Sequence, residues 1–164
     1  IIRIIFTQIS ISDSLNRFKN IIVSTHPRTR KKIDKMKINF SKNVKLLKPL
    51  GFCDYVKLQK NAFVVLSDSG TITEESSILN FPALNIRQTH ERPEGMEESS
   101  VIMTGLNVER IIQGIELVGQ QEREKNRSIL PVSDYMIPNV SEKVARIILS
   151  YISYINRNVW KKNN

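Results

Sequence analysis

The chain has 164 residues, 40% of them apolar and 25% charged, so it can bury one core and a single domain is the default expectation. The net charge of +9 suggests nucleic-acid binding, but the basic residues concentrate in 27–48 without interleaved aromatic side chains, which favours a solvated face instead. No apolar run approaches the roughly 18 residues needed to cross a bilayer, and the apolar start is too short for a signal peptide, so we expect a cytoplasmic protein without a membrane partner.

Strand and helix signals alternate through the first half of the chain. Residues 1–9 are apolar, as though the chain begins inside an element, and Ser12 to Asn20 indicates a short helix or turn. The predicted elements that follow are a strand at Ile21–Ser24, a helix at Arg28–Lys37 after Pro27, a strand at Val44–Leu47, a helix at Cys53–Asn61 with Val56 and Leu58 inward, a strand at Phe63–Leu66 and a helix at Thr71–Leu79.

The alternation continues through the second half. The predicted elements are a strand at Ala83–Ile86, a charged loop at His90–Ser100, a short strand at Val101–Met103, a helix capped by Asn107 and a long helix that starts at Ser141 and Glu142. The long helix carries an apolar stripe, and the tail Arg157–Asn164 is expected to fray. Such alternation predicts an α/β fold, a doubly wound, Rossmann-like parallel sheet with helices on both faces.

Cys53 is the single cysteine of the chain. One cysteine excludes an internal disulfide framework and suggests a reducing compartment. A reactive thiol is one interpretation of this residue, but free cysteines behave most often as small buried hydrophobes. We therefore expect Cys53 to be buried.

The stretch Ser67–Gly70 joins a buried strand to a helix start. Free backbone N–H groups and the helix dipole favour an anion at such a place. Glu75, one turn into the helix, is placed to accept hydrogen bonds from sugar hydroxyls, which suggests a diphosphate site with a ribose beside it. Ser, Asp and Gly are also ordinary capping residues, and on this stretch alone the capping interpretation is favoured.

Three segments that are distant in the chain are predicted to meet at one edge of the sheet. His26, the Ser67–Gly70 turn, and the loop with Glu91 and Arg92 each follow the carboxyl end of a predicted strand. Ligands of open α/β sheets bind at those ends. This convergence favours a binding site over a simple helix cap.

The same segments carry a resemblance to a known family. Ser-Thr-His-Pro-Arg-Thr (24–29), Ser-Asp-Ser-Gly (67–70) with Glu74 and Glu75, and His-Glu-Arg-Pro-Glu (90–94) resemble the C-terminal half of the non-hydrolysing UDP-N-acetylglucosamine 2-epimerases, over about residues 21 to 150. Residues 69–87 resemble the branch that acts on UDP-2-acetamido-2,6-dideoxy-hexoses, the talose/fucose pair, in capsule or O-antigen synthesis. Usual members have Gly-Gly-Ile-Gln where this chain has Gly-Thr-Ile-Thr (70–73).

The resemblance implies a role for each matched residue in half of a glycosyltransferase-B-like fold. The implied roles are diphosphate binding by Ser69 and Gly70, ribose binding by Glu75, an aromatic position near uracil at Tyr55, diphosphate–sugar binding by Arg92 and an active-site histidine at His26. Structural alternatives stay open. Tyr55 also suits a core position, His26 a strand end, and Arg92 an ion pair with Glu91 or Glu94.

The family chemistry inverts C2 of the sugar by eliminating UDP and adding it back to the other face, with no metal or cofactor implied. Its catalytic carboxylates lie in an N-terminal domain that we expect this chain to lack. The expected organisation is an incomplete start at 1–20, a UDP-binding domain at 21–156 and a basic tail at 157–164.

The expected ligand is UDP or a UDP-N-acetylhexosamine, and the expected protein partner is a separate N-terminal half or a second copy. Alone, the chain is expected to bind weakly and turn over little. The alternatives are the nucleotide-sugar-binding half of a glycosyltransferase, and a non-catalytic module that binds through its basic face.

Overall fold

The structure, a computed structural model, describes residues 2–9, 18–89, 91–123 and 126–162. Its elements, in chain order, are β1 (Ile2–Ile9), β2 (Phe18–Thr25), α1 (Pro27–Lys35), β3 (Val44–Leu47), α2 (Phe52–Asn61), β4 (Val64–Ser67), α3 (Ile72–Leu79), β5 (Ala83–Asn85), α4 (Pro93–Glu97), β6 (Ile102–Met103), α5 (Val108–Val118) and α6 (Val140–Asn158). A 3-10 turn at Ser133–Met136 precedes α6. The predicted α/β class is confirmed.

The six strands form one sheet in the order β3-β2-β1-β4-β5-β6. The pairs β2–β3, β4–β5 and β5–β6 are parallel, as predicted, whereas β1 runs antiparallel to both of its neighbours. Chain length explains the difference, because only residues 10–17 join β1 to β2. A parallel crossover needs a dozen or more residues, so a connection of this length favours an antiparallel pair.

Two local predictions differ from the structure. Of the helix or turn expected at Ser12–Asn20, residues 12–17 lie outside the described residues, and the last three residues belong to β2, where Phe18 pairs with Ile9. The charged loop expected at 90–100 contains the short helix α4, although His90 itself lies outside the described residues. Pro93 occupies the first turn of α4, where its missing N–H costs no hydrogen bond.

The strand β4 divides the core into two layers. All four of its side chains are buried, and they alternate between the faces of the sheet. Val65 packs in a cluster with residues of α2 and α3, whereas Val64 and Leu66 pack with Ile115 of α5 on the other face. Helices therefore cover both faces of the sheet, as the doubly wound prediction requires.

The buried face of α2 includes the predicted Val56 and Leu58 only in part and centres on Tyr55 and Gln59. Tyr55 and Gln59, one helical turn apart, are buried, whereas Cys53 is exposed. The prediction of a buried cysteine was wrong because Cys53 lies off the stripe that faces the sheet. Leu58 is partly buried against the same cluster as Tyr55, as expected.

Two arginines tie the segment after α5 to the ends of α2 and α3. Arg123 donates to the carbonyl oxygens of Ala62 (2.7 Å) and Phe63 (2.8 Å), and burial lowers its pKa. Arg127 donates to the carbonyl oxygens of Ser77 and Ile78 at the end of α3. These bonds satisfy carbonyl groups that a helix end leaves without an intrahelical donor.

The helices α1 and α6 contrast with α5. Asn107 caps α5 as predicted, accepting from the backbone N–H of Arg110 at 3.0 Å. The basic helix α1 has no buried residue, which fits the expected solvated face. The helix α6 also has no buried residue, so its apolar stripe lies exposed on the surface.

Candidate functional site

The sheet brings the carboxyl ends of β2, β4 and β5 to one edge, as the sequence predicts. Ser24 of β2 and Ser67 of β4 both pair with Arg3 of β1, one on each side. Two strand spacings therefore separate them, roughly 10 Å. The antiparallel strand β1 thus lies between the His26 loop and the Ser67–Gly70 turn.

The turn Ser67–Gly70 is held by hydrogen bonds at its start and offers backbone donors at its end. Ser67 is fully buried, and its Oγ accepts from the backbone N–H of Ser69 at 3.1 Å. The carbonyls of Ser69 and Gly70 accept from the first residues of α3, Ile72 and Thr73. Within the described residues, no protein acceptor takes up the backbone N–H of Gly70 or Thr71. Two donors at a helix N-terminus fit an anion.

Charged side chains crowd Gly70. A Cβ on this glycine would lie 3.2 Å from Glu91 Oε2 and 3.8 Å from Arg87 Nη1. Arg87 donates to Glu91 Oε1 at 2.6 Å, and this bond raises the arginine pKa. Arg87 was not predicted as a site residue, although its position just after the end of β5 was a usable signal.

Arg92 is the N-cap residue of α4 and pairs with Glu74 in the first turn of α3. Its Nε donates to Glu74 Oε1 at 2.8 Å, and its Nη1 donates to the carbonyl oxygen of Glu91 at 3.0 Å. The hydrogen bond and charge of Glu74 raise the Arg92 pKa. The ion-pair alternative named Glu91 or Glu94 as the partner; the salt bridge described here is with Glu74, and the charge of Glu94 adds to the raised Arg92 pKa.

Close packing fixes α4 against α3. A Cβ on Gly95 would lie 2.1 Å from Thr73 Cγ2, so only glycine allows this approach of the two helices. Tyr135 donates its hydroxyl proton to Glu94 Oε1 at 2.8 Å. Burial is the largest cause of the raised Tyr135 pKa, so this hydroxyl remains a donor. Arg92 therefore sits on a short helix held from two sides.

Glu75 is bonded at both carboxylate oxygens. The Thr71 hydroxyl donates to Oε1 at 2.9 Å, and the Gln59 amide donates to Oε2. The same Gln59 nitrogen donates to the Tyr55 hydroxyl at 2.9 Å. Tyr55 itself is 8% exposed and belongs to the core cluster, so it lies on the core side of Glu75.

His26 is exposed and caps α1. Its Nδ1 accepts from the backbone N–H of Arg28 at 3.3 Å. The structure thus groups Ser69, Gly70, Glu75 and Arg92 around α3, and it places His26 across β1 at the same edge. Gln59, Thr71 and Arg87 join the group, although none of them was predicted as a site residue.

A cavity of about 460 Å³ lies elsewhere, along α2 and beside the C-terminal end of α3. Its lining consists of Phe52, Cys53, Val56, Lys57, Lys60, Asn61, Leu79, Asn80 and Arg123. None of the predicted site residues lines it. Size alone does not make it the functional site, because the strand-end edge holds the converging polar groups.

Neither a metal centre nor a membrane helix occurs in the part of the chain that the structure describes. No group of three or more His, Cys, Asp or Glu side chains there is arranged to hold a metal ion. No helix there is both long and apolar enough to span a bilayer.

Comparisons with known proteins agree with this fold. Residues 6–149 match the family model described as UDP-N-acetylglucosamine 2-epimerase. The UDP-N-acetylglucosamine 2-epimerase of Methanocaldococcus jannaschii is 39% identical over 111 residues, which are 64% of this chain and 30% of that protein.

Solved structures agree as well. The UDP-N-acetylglucosamine 2-epimerase of Rickettsia bellii is 49% identical with a TM-score of 0.75, covering 86% of this chain and 39% of that one. The M. jannaschii epimerase in complex with UDP-GlcNAc and UDP is 31% identical with a TM-score of 0.66, covering 79% and 35%.

The fold and the site define a Rossmann-like α/β protein whose structural neighbours are glycosyltransferase-B-like. Within that class, the chain belongs to the UDP-N-acetylglucosamine 2-epimerase family. It spans about 30% of the length of the M. jannaschii relative. The family match favours neither a glycosyltransferase half nor a basic binding module.

Proposed function

We propose that this chain is the UDP-binding half, the C-terminal half in family terms, of a UDP-N-acetylhexosamine 2-epimerase. The observation that carries the proposal is the Ser67–Gly70 turn, which offers two backbone donors at the start of α3 beside Arg87. Family membership and the complex of the M. jannaschii relative with UDP-GlcNAc and UDP support UDP as the ligand.

The diphosphate would bind at this turn. Helix N-termini favour anions because their N–H groups and dipole point at the ligand. We assign the Ser69 hydroxyl and the Gly70 N–H to diphosphate oxygens, with the Ser69 proton turning from the Thr71 hydroxyl to the ligand. Arg87 and Arg92 would neutralise charge through hydrogen bonds. Arg87 would exchange Glu91 for the diphosphate, which carries more charge than one carboxylate.

The nucleoside would lie along α3. Glu75 projects from the first turn of that helix, and its carboxylate is the acceptor we assign to the ribose hydroxyls. Tyr55 is buried beneath it, so we place Tyr55 behind the uracil position, supporting that subsite from the core.

His26 would act at the junction of sugar and diphosphate. Because its Nδ1 accepts a hydrogen bond in the α1 cap, a neutral His26 carries its proton on Nε2. In that tautomer the ring is a donor, which suits stabilisation of the departing diphosphate and does not suit removal of the C2 proton. We therefore assign His26 to the leaving group.

The proposed reaction eliminates UDP across C1–C2 of the sugar and adds it back to the opposite face. Moving the C2 proton requires an acid and a base, for which carboxylates in a second domain are our assignment. The residues described here would stabilise the departing UDP. We accordingly propose that this chain alone binds UDP weakly and turns over little.

The sugar proposed is a UDP-2-acetamido-2,6-dideoxy-hexose of the talose/fucose pair, used in capsule or O-antigen synthesis. The Thr71 and Thr73 positions, which differ from the Gly and Gln of usual family members, support this branch. A competition titration of UDP-GlcNAc against the 6-deoxy sugar nucleotide tests it. Tighter binding of UDP-GlcNAc would contradict the branch but not the family chemistry.

The exposed face of α6 is the surface on which we propose that the second domain docks. The family match extends into α6, to residue 149, and the relatives carry further chain that this one does not match. The exposed apolar residues of α6 include Val144, Ile147, Ile148, Leu149, Tyr151, Ile152 and Tyr154. Such a face on a 19-residue helix marks an interaction site.

Co-elution on gel filtration tests the docking surface. The probe is the separately expressed part of the R. bellii relative that this chain does not match. We expect a complex with this chain and none with the Ile147→Glu variant. A stable homodimer that excludes the probe would instead assign α6 to a second copy.

Isothermal titration of UDP into the purified chain tests the central proposal. Ser69→Ala and Arg92→Ala should each weaken binding about 10- to 100-fold, because each removes a hydrogen bond to a charged group. Arg146→Ala is the matched control, since Arg146 pairs with Glu142 at 2.7 Å on exposed α6. Equal UDP binding by all four proteins would contradict the proposed site.

A further inference from the structure

Gln59 is a polar side chain at a core position. It is fully buried on α2, among residues that pack against the apolar cluster of Tyr55 and Ile72. Its Nε2 donates to both the Tyr55 hydroxyl and Glu75, whereas its Oε1 has no hydrogen-bond partner among the described residues. Burying an amide incompletely bonded is unfavourable, and an apolar residue would fill the position without that cost. Packing alone therefore does not explain Gln59.

The Glu75 carboxylate is held from two directions. Gln59 reaches Oε2 from the core, and the Thr71 hydroxyl reaches Oε1 at 2.9 Å from the same helix start. Two bonds to different oxygens fix the plane of the carboxylate. They do not exhaust the roughly four acceptor positions that a carboxylate offers. The group is therefore oriented before any ligand arrives.

The hydrogen bonds that hold Glu75 extend to the Ser67–Gly70 turn. Thr71 donates its single hydroxyl proton to Glu75, so its oxygen accepts from the Ser69 hydroxyl, 2.9 Å away. A chain of hydrogen bonds thus runs from Ser69 through Thr71, Glu75 and Gln59 to Tyr55. It links the residue assigned to the diphosphate with the residue assigned to the ribose.

We propose that Gln59 and Thr71 are positioning residues that lock the Glu75 carboxylate for the ribose and so make the nucleotide site selective for ribose over 2′-deoxyribose. The inference rests on the proposed function, because it takes Glu75 as the ribose acceptor. A carboxylate held in one orientation loses a hydrogen bond when the ribose hydroxyl is missing, whereas a carboxylate free to turn replaces that bond with one to water or another donor.

The test measures UDP and 2′-deoxy-UDP affinities of the intact chain by titration calorimetry. The wild type should bind UDP about tenfold or more tightly than 2′-deoxy-UDP, as expected for one hydrogen bond to a charged group. Gln59→Met keeps the volume of the side chain and removes its donor, and it should reduce that ratio to about two. A purely structural role would weaken both nucleotides equally and leave the ratio unchanged.

Thr71→Val is the second variant, and it keeps the inference testable if Gln59→Met does not fold. Thr71 is exposed, so its loss should spare the fold and reduce the ratio in the same direction. Lys57→Met, on the exposed face of α2, is the matched control and should retain the wild-type ratio. Circular dichroism melts report whether each variant is folded.

The outcomes separate this inference from the proposed function. A wild-type preference for UDP that persists in Gln59→Met and Thr71→Val overturns the positioning role alone. A wild type that binds the two nucleotides equally also overturns it. A wild type that binds neither overturns the proposed function, and the positioning role with it.

Discussion

The two sides of the candidate site are built differently. On one side, Glu75 is bonded at both carboxylate oxygens and projects from α3, a helix with four buried residues. On the other side, His26 is exposed and held by one cap bond at the start of α1, a helix with no buried residue. The α3 side is therefore organised by the core of this chain.

That difference indicates which part of the proposed chemistry the chain can organise alone. Groups fixed by core packing are preorganised, and their position does not depend on a partner. The antiparallel strand β1 places His26 two strand spacings from the turn, on an open edge of the sheet. We therefore assign nucleotide binding to this chain and completion of the sugar site to the docked domain.

Among substitutions away from the proposed ligand contacts, the largest effect should follow from Gly95→Ala. The added methyl would lie 2.1 Å from Thr73 Cγ2, so α4 must move and carry Arg92 with it. Overpacking of this kind costs about 1–3 kcal/mol, which lowers Tm by several degrees. UDP affinity should fall as well, by about tenfold, because one charged contact is displaced.

The control for that variant is Gly51→Ala, where the nearest atom to a Cβ is Asp54 Oδ2 at an ordinary 3.9 Å. Gly51 is the N-cap residue of α2, where alanine costs up to about 1 kcal/mol, so this control should lose less stability than Gly95→Ala and keep the UDP affinity of the wild type. Equal Tm values for the two glycine variants would show that α4 does not need its close contact with α3.

A smaller effect, an increase in UDP affinity, should follow from Glu91→Gln. Glu91 places a carboxylate beside Gly70 and pairs with Arg87. Removing its charge eliminates repulsion of the diphosphate and releases Arg87, so UDP should bind about two- to fivefold more tightly at low salt. Added salt should shrink the gain, because exposed charges are screened. Weaker UDP binding by Glu91→Gln would show that the carboxylate is a ligand contact.

The smallest effect on UDP affinity should follow from substitution of His26. His26→Ala removes the side-chain cap of α1 at a cost of about 1 kcal/mol, whereas His26→Asn supplies another good cap. Because we place His26 on the sugar side, neither variant should change the UDP dissociation constant more than about twofold. A tenfold loss in both variants would place His26 within the nucleotide subsite and remove the contrast between the two sides.

Prediction from the sequence succeeded for features that local patterns encode. The buried strand β4, the turn after it and the Asn107 cap follow from runs of side-chain types, and each occurs in the structure. It missed the direction of β1, because strand direction depends on connection length rather than on apolar content. It also missed α4, whose five residues are too few for a periodic signal.

Within the site, contacts between individual residues of different helices could not be predicted from the sequence. Gln59 and Glu75 are 16 positions apart, and only the packing of α2 against α3 brings them together. Arg92 was selected, but its carboxylate partner was not, because Glu74 lies on a different helix. The resemblance identified which residue types matter, and the fold identified which residues hold them.

Chemical-shift mapping with UDP tests the central claim most directly. Two-dimensional NMR of the ¹⁵N-labelled chain should show UDP shifting the backbone amides of Gly70, Thr71 and Glu75, because we place the diphosphate and ribose there. The amides of Lys57 and Lys60, at the 460 Å³ cavity, should stay in place. Shifts confined to that cavity, with the turn unaffected, would contradict the account.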